Sequence, residues 1–516
     1  MTTARRSKII SSSIIVSAAT LASRVLGLVR DVVFAHVFGS GGATDAFFLA
    51  FKIPNFLRRL FAEGAFSQAF VPVLAEYKEK GGIEAVRGLL GPVIYWLGFR
   101  LTLVTIVVIA LAPYVALVFA VGYWWNGETA KLTQTGDMLR IIFPYLFLIS
   151  FTALCGSVLN TFGKFAVPAI TPVLLNLTLI FFALVVSPLM SQPIYALVWG
   201  VIVAGVLQFS FQLPFLAREK LLVLPRREPN NEGVRKIAKL MLPALFGVSV
   251  SQINLALDVM LATLLADGSV GWLYYSDRLS ELPLGLIGIA IATVVLPSLS
   301  KDHSADNPER FNQTLDWAIR VVCLLGVPAG LALLILAEPL IITIFFHGEM
   351  TEHDVLMSAQ SLRAYAVGLL AFMLVKILAP GFFARQNTRK PVEIAIKAMV
   401  ANMVFNLCLV FWLAHVGLAL ATSLSAWLNA ILLFFTLRKE IGLNLERATV
   451  WLLVKILLAA ALMGVALWWF AGPGEIWLQM TLTQRILQTA ILVPLGLMVF
   501  AGSGWILGVR PRHFRH

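Results

Sequence analysis

Charge is scarce in this sequence. Only 13% of its 516 residues are Asp, Glu, Lys or Arg, while 59% are hydrophobic. Soluble domains carry about a quarter charged residues and roughly half apolar ones. No long hydrophilic stretch is left from which a water-exposed domain would be built, so a single membrane unit is expected. Cysteine is scarce as well. Cys155, Cys323 and Cys408 lie far apart in apolar segments, which excludes a disulfide framework or thiolate metal site and reads as small core residues. There is no glycine-rich phosphate loop ending in Lys-Ser or Lys-Thr, so ATP is not the expected driving force. The seven histidines show no metal spacing. Arg5, Arg6 and Lys8 precede an apolar run as in a signal peptide, but no small-residue cleavage site follows, so the run is expected to stay as the first span.

What is present is a succession of apolar segments. A bilayer crossing needs ~20 mostly apolar residues. Spans are predicted near 9–38, 44–76, 88–120, 133–162, 165–188, 192–217, 237–265, 269–300, 313–341, 354–384, 391–414, 417–437, 448–471 and 483–508. The expected fold is an all-α integral membrane protein of about fourteen transmembrane helices. The connections sort into two alternating sets. One holds clusters such as Arg218, Lys220, Arg226, Arg227, Arg235, Lys236 and Lys239, together with the basic ends of the chain. The other holds only Lys131 and Arg485. The positive-inside rule places the first set, and both termini, in the cytoplasm. The net charge of +13 therefore reflects topology, and no nucleic-acid partner is expected. Tyr123, Trp124 and Trp125 fit an aromatic belt on the other side.

Weak self-similarity recurs at a separation of about 225 residues, with Gly42–Phe48 against Gly268–Tyr274 and Val71–Leu74 against Leu296–Leu299. Six spans separate the copies, so both have the same orientation, as in the paired lobes of alternating-access transporters. Chance resemblance among apolar helices is the competing explanation. The expected organisation is a first lobe over 1–220 (six spans), a second lobe over 221–440 (six spans), and 441–516 holding two added spans and a tail.

Charges inside the predicted spans point to function, because a charge at mid-bilayer costs ~2.5 kcal/mol or more. Arg24 and Arg30-Asp31 lie in the first span, and Asp45, Lys52, Arg58, Arg59 and Glu63 in the second. Arg59 and Glu63 have pairing spacing, Arg30 and Asp31 can be neutralised locally, and Asp45 can snorkel from a span end. Arg24, Lys52 and Arg58 resist such readings. The equivalent later helix carries Asp277, Arg278 and Glu281, where Arg278 and Glu281 are spaced to pair. Arg363 and Lys376 lie in the tenth span, and Arg100 is an isolated charge with no assignment. Arginine forks bind phosphate bidentately, so an anionic, phosphate-bearing substrate fits. Asp258, Asn402, Asn406 and Thr422 offer oxygens suited to a hard cation such as sodium. Interhelical hydrogen bonding is the slightly favoured alternative.

Several segments then match a known pattern. Ser23-Arg24-Val25-Leu26-Gly27, Arg30-Asp31, Ala43-Thr44-Asp45-Ala46-Phe47, and Pro54 through Phe66 (PNFLRRLFAEGAF) resemble the MurJ (MviN) family of lipid II flippases. So do Tyr274-Tyr275-Ser276-Asp277-Arg278 and Pro380-Gly381-Phe382-Phe383-Ala384-Arg385-Gln386. The resemblance covers nearly the whole chain. It implies a member of the multidrug/oligosaccharidyl-lipid/polysaccharide (MOP) exporter superfamily, with a groove for a lipid tail in the last two helices. The implied cargo is lipid II, the undecaprenyl-pyrophosphate-linked peptidoglycan precursor, moved by alternating access across the bacterial inner membrane without covalent catalysis. The implied substrate-binding residues are Arg24, Arg30, Asp45, Arg58 and Arg278, with Lys52 and Glu281 at polar cavity positions. A sodium site is implied for Asp258, Asn402, Asn406 and Thr422, although one of its family positions is a carboxylate where this chain has Asn406. No other cofactor is expected, and the membrane potential is an alternative coupling force. The implied partners are lipid II, membrane lipids and proteins of cell-wall synthesis and division. An exporter of another polyprenyl-linked oligosaccharide, a membrane glycosyltransferase using lipid II, and a scaffold of cell-wall synthesis are the competing readings.

Overall fold

A computed structural model gives the fold, and it describes residues 3–285, 289–304, 307–443 and 445–514. Among the described residues the predicted spans fall on helix, and no strand occurs. The main elements begin with α1 (Thr3–Phe38), α2 (Gly42–Leu57), a wider π-helical stretch over Arg58–Phe66, α3 (Ser67–Ala110), α4 (Ala112–Phe119), α5 (Val121–Trp125), α6 (Thr129–Ile142), α7 (Tyr145–Thr161), α8 (Ala166–Phe181), α9 (Tyr195–Arg218) and α10 (Glu232–Ala262). There follow α11 (Ser269–Pro283), α12 (Ile289–Ser304), α13 (Pro308–Ile335), α14 (Ala337–Phe345), α15 (Glu352–Phe383), α16 (Arg389–Ile441), α17 (Arg447–Ala471), α18 (Gly474–Gln479) and α19 (Leu482–Ile506).

Local chemistry sets the helix ends. Asn231 caps α10 by accepting from the Val234 N–H, and Asn307 caps α13 by accepting from the Arg310 N–H. Thr351 with Asp354, and Thr481 with Gln484, form reciprocal capping boxes that open α15 and α19. Such pairs satisfy amide donors that the first turn leaves over. Gly442 closes α16 in the left-handed region, where glycine is free of Cβ strain.

Nine helical stretches among the described residues are long and apolar enough to cross a membrane. Two are too long for one crossing, Gly42–Ala110 at 69 residues and Arg389–Ile441 at 53. Each is broken once by a non-helical residue, Gly82 (φ 62°) and Ala414 (φ 47°). The second break lets the chain double back tightly, since a β-carbon on Gly417 would lie 2.6 Å from the Leu409 carbonyl oxygen. The exposed surface is apolar, with Phe411, Trp412, Trp468, Trp469, Leu497 and Met498 all outward. Contiguous apolar surface on this scale belongs in lipid. Cys155 and Cys323 are buried as expected, but Cys408 is exposed. It sits on the outward face of α16, where lipid replaces protein as the apolar neighbour.

The chain folds as two compact units, Met1–Val270 and Gly271–His516. Within the first, α1 packs on α8, α7 on α9, and α10 on α3 and the π-helical stretch. The sequence reading started the second lobe at residue 221, whereas α10 lies in the first unit. Within the second, α13, α15 and α16 surround a core that includes Leu315, Val322, Met373, Phe382 and Leu437.

Candidate functional site

Helix α1 brings two arginines into the first unit, and their surroundings differ. Arg30 is buried, and its Nη2 and Nε donate to Asp31 Oδ1 at 2.7 and 3.0 Å. Its Nη1 donates to Asn176 Oδ1 on α8 at 3.0 Å, and Asn176 Nδ2 donates back to the Ser23 carbonyl at 3.0 Å. Its guanidinium also lies 5.6 Å from the Phe34 ring centroid. Asp31 itself is 1% exposed. Arg24 is half-buried, and among the described residues it makes no hydrogen bond or ion pair.

Helix α2 and the π-helical stretch place the next group. Pro54 sits inside α2, where a missing N–H frees a carbonyl and loosens the winding. The π-helical turns begin four residues later, at Arg58. Widened turns of this kind are frequent at functional sites. Arg58 is half-buried, and its Nε donates to Asn55 Oδ1 at 3.2 Å, one turn back. Lys52 and Arg59 are exposed to the surroundings of the chain. The side chain of Glu63, suggested by spacing as the partner of Arg59, lies outside the described residues. Asp45 does not snorkel. It is 2% exposed, and its Oδ2 accepts from the Gly268 N–H at 2.8 Å.

In the second unit Arg278 pairs with Glu281 at 3.4 Å, as the spacing predicts, and lies 5.2 Å from the Tyr274 ring centroid. Arg363 pairs with Glu338 at 2.8 Å. Asn402 and Asn406 are buried and joined, Asn406 Nδ2 donating to Asn402 Oδ1 at 2.9 Å, and Asn402 Nδ2 reaches Ser425 Oγ at 3.4 Å. Thr422 Oγ1 donates to the Leu418 carbonyl within its own helix. This set is neutral, and its hydrogen bonds already use the Asn402 oxygen. Asp258, the one carboxylate suggested with it, is on α10 in the first unit. Hard cations take several oxygens, amide carbonyls and carboxylates alike, and the second-unit members contribute amide and hydroxyl oxygens. Arg100 in the first unit stacks on Trp96, 4.3 Å from its ring centroid.

A family model described as lipid II flippase MurJ matches residues 34–487. A probable lipid II flippase MurJ of Haemophilus influenzae is 49% identical over 505 residues, covering 96% of this chain and 99% of the relative. The chain belongs to the lipid II flippase MurJ family. A solved lipid II flippase MurJ, in an inward closed conformation, is 26% identical with a TM-score of 0.81, covering 96% of this chain and 98% of that one. An inward-facing multidrug transporter of the MATE family, within the MOP superfamily, shares the fold at 14% identity and a TM-score of 0.69, covering 83% of this chain and 98% of that one. The chain is thus a multi-pass membrane protein of the MOP fold.

The sequence assigns no partner to three residues that the fold of this MurJ-family chain ties down. Asn176 had no signal beyond being a lone amide in an apolar span. Lys131, on the cation-poor side, is held by Glu128 at 2.5 Å and by Asp267. Arg485, the other cation on that side, is 6% exposed and donates to the carbonyls of Trp477 (2.9 Å), Leu478 (2.9 Å) and Phe346 (3.1 Å). Both exceptions to the charge asymmetry are therefore committed to local partners. Tyr123, placed in an aromatic belt by its neighbours, is instead 2% exposed, while Trp124 and Trp125 face outward.

Proposed function

We propose that this chain flips lipid II from the inner to the outer leaflet of the bacterial inner membrane by alternating access. The observation that carries the reading is membership of the lipid II flippase MurJ family along nearly the whole chain. Both termini are cytoplasmic, as the positive-inside asymmetry requires. No covalent step is needed, so the protein is a transporter and not an enzyme. The pyrophosphate is an anionic part of the cargo, and Arg24 and Arg58 of the first unit are its primary ligands. A guanidinium suits a phosphate because it offers parallel donors at fixed spacing. Lys52 adds positive potential, Arg278, paired with Glu281, is a candidate polar contact for the cargo in the second unit, and Arg30 with Asp45 supports the first-unit site. The cycle is reset by an ion gradient or by the membrane potential, and no residue is assigned to the coupling ion. Proteins of cell-wall synthesis and division are the expected neighbours.

The test is depletion of the native protein and complementation with Arg24→Ala or Arg58→Ala, reading lipid II at the outer leaflet. Exposure is expected to fall at least tenfold, since a charge-assisted phosphate contact is worth ~1.5–3 kcal/mol. Undiminished exposure with normal amounts of either variant would overturn these residue roles.

A further inference from the structure

A series of buried hydrogen bonds crosses four helices of the first unit. Tyr145 Oη on α7 donates to Gln208 Oε1 on α9 at 3.4 Å. Gln208 Nε2 donates to the Thr171 carbonyl on α8 at 3.1 Å, and Gln212 Nε2 donates to Thr171 Oγ1 at 3.1 Å. Helix α8 is thereby fixed to α9. Five residues on, about 1.4 helical turns, Asn176 leaves α8 in another direction and meets α1. It uses both ends of its amide there. Its Oδ1 accepts from Arg30 Nη1 and its Nδ2 donates to the Ser23 carbonyl, each at 3.0 Å. Between those two points lies Gly27, where a β-carbon would sit 3.7 Å from Asn176 Nδ2. Ser23, Gly27 and Arg30 are spaced by four and then three, so they form one stripe of α1. The amide lies along that stripe.

The directionality of these bonds sets what they do. Apolar packing holds two helices together but is non-directional, so it tolerates sliding and rotation. Two hydrogen bonds of opposite sense, to points seven residues apart, fix both. A slip of α1 by one residue would move it about 1.5 Å along its axis and turn it about 100°. It would strand the Asn176 donor and a guanidinium N–H in a buried place, where unmade hydrogen bonds are costly. Arg24 directly follows Ser23, so the same bond sets where its side chain starts. Arg24 is half-buried and makes no hydrogen bond or ion pair among the described residues, so no contact of that kind places it. Only an amide suits position 176. An aspartate lacks the donor for Ser23, and a leucine lacks donor and acceptor alike.

We propose that Asn176 is a positioning residue for cargo binding, which transmits the fixed place of α8 to α1 and so sets the height and rotation at which the Arg24 guanidinium meets a phosphate. The inference rests on the transport reading above and on the ligand role given there to Arg24. It also gives Arg30 a task other than gripping cargo, because its Nη1 is used on Asn176 and its Nε and Nη2 on Asp31.

The test measures lipid II binding to the full chain in nanodiscs. Asn176→Leu is expected to weaken binding about tenfold, the scale of one lost buried hydrogen bond. Asn176→Asp keeps the acceptor for Arg30 and loses the donor to Ser23, and is expected to weaken binding about as much. In an Arg24→Ala background, Asn176→Leu is expected to change binding by less than about twofold, because residues that act through one contact are not additive. A purely structural residue would weaken binding equally in both backgrounds, and that result overturns the proposal. Parent-like binding by Asn176→Asp overturns it as well. A second arm is read without cargo, from spin labels at Val25→Cys on α1 and Val206→Cys on α9, both exposed. It uses a Cys408→Ser chain, since Cys155 and Cys323 are buried. Asn176→Leu is expected to broaden the distance distribution between the labels, and an unchanged distribution overturns the placement of α1 by Asn176. Should Asn176→Leu fold poorly, Asn176→Asp carries both readouts. Normal lipid II binding by Arg24→Ala would overturn the ligand role of Arg24, whereas the label distances decide the placement of α1 independently of it.

Discussion

Arg24 and Arg30 lie on one helix, six residues apart, in the same apolar run. The turn around Arg30 is a finished network. Its guanidinium is divided between Asp31 and Asn176, and Asn176 in turn ties α8 to the Ser23 carbonyl. The Arg24 side chain is half-buried and makes no hydrogen bond or ion pair among the described residues. Depth in the membrane is therefore not enough to mark a cargo ligand. A buried arginine whose donors are committed holds helices in place, and one whose donors are uncommitted can serve a passing phosphate. Arg320 is bound to Asp316, which also accepts from Thr449 at 2.9 Å, while the Arg278–Glu281 pair is longer and partly exposed.

The contrast breaks most visibly at Arg30. Arg30→Ala would remove the guanidinium that donates to the buried Asp31 Oδ1, and breaking a buried ion pair costs about 3–5 kcal/mol. Folded yield in detergent should collapse, and double replacement with Asp31→Asn should recover much of it. Normal yield and melting of Arg30→Ala alone would erase the distinction. Arg24→Ala is expected to leave melting within about 1 kcal/mol of the parent while lipid II exposure is lost. Arg24→Lys, with its charge but no fork, should fall between.

Arg485 is the same experiment in the second unit. Arg485→Met removes the donors from three carbonyls near the ends of α14 and α18. Hydrogen bonds to a charged group contribute ~1.5–3 kcal/mol each, but part of this returns as packing by the methionine. A loss of about 2 kcal/mol is expected in thermal unfolding, smaller than at Arg30 because no buried ion pair is broken. A larger loss than at Arg30 would show that carbonyl capping outweighs charge compensation here.

The spans were legible because a bilayer demands long apolar runs, and those runs are plain in the sequence. Their interruptions were less so. Residues 77–87 look like a loop, yet helix continues through them except at Gly82. The break at Ala414 falls where the predicted spans end at 414 and resume at 417, but its conformation was not legible, because an alanine at φ 47° is held there by the surrounding fold and not by its own preference. The exposure of Cys408 was hidden for a related reason: lipid and protein core select the same side chains. At the site, the positions of the charges were visible but their commitments were not. Adjacent residues on a helix do not normally face each other, so Arg30 and Asp31 did not announce a direct pair. Asn176 lies 146 residues from Arg30 in sequence, and Gly268 lies 223 from Asp45; only the tertiary fold joins them.

The smallest expected effect concerns the tail of the second unit. The segment Pro511–Phe514 docks on α13, with the Trp317 indole N–H donating to the Phe514 carbonyl at 2.9 Å and Arg320 Nη1 to the His513 carbonyl at 3.3 Å. His513 Nδ1 accepts from the Arg510 N–H at 3.2 Å, which requires that nitrogen to be unprotonated. Burial, then Arg512, Lys455, Arg320 and Arg510 around it, hold the imidazole below its usual 6.5. A depressed imidazole means that the docked state binds fewer protons than the undocked one, so docking strengthens as pH rises toward 6.5 and weakens below it. Hydrogen exchange of the tail amides should therefore quicken on acidification, and His513→Asn, which keeps an acceptor but does not titrate, should flatten the response. A tail whose exchange shows no such pH dependence would mean that Trp317 and Arg320 hold it without His513. It would then join Arg30 among the committed contacts that pH and cargo leave unmoved.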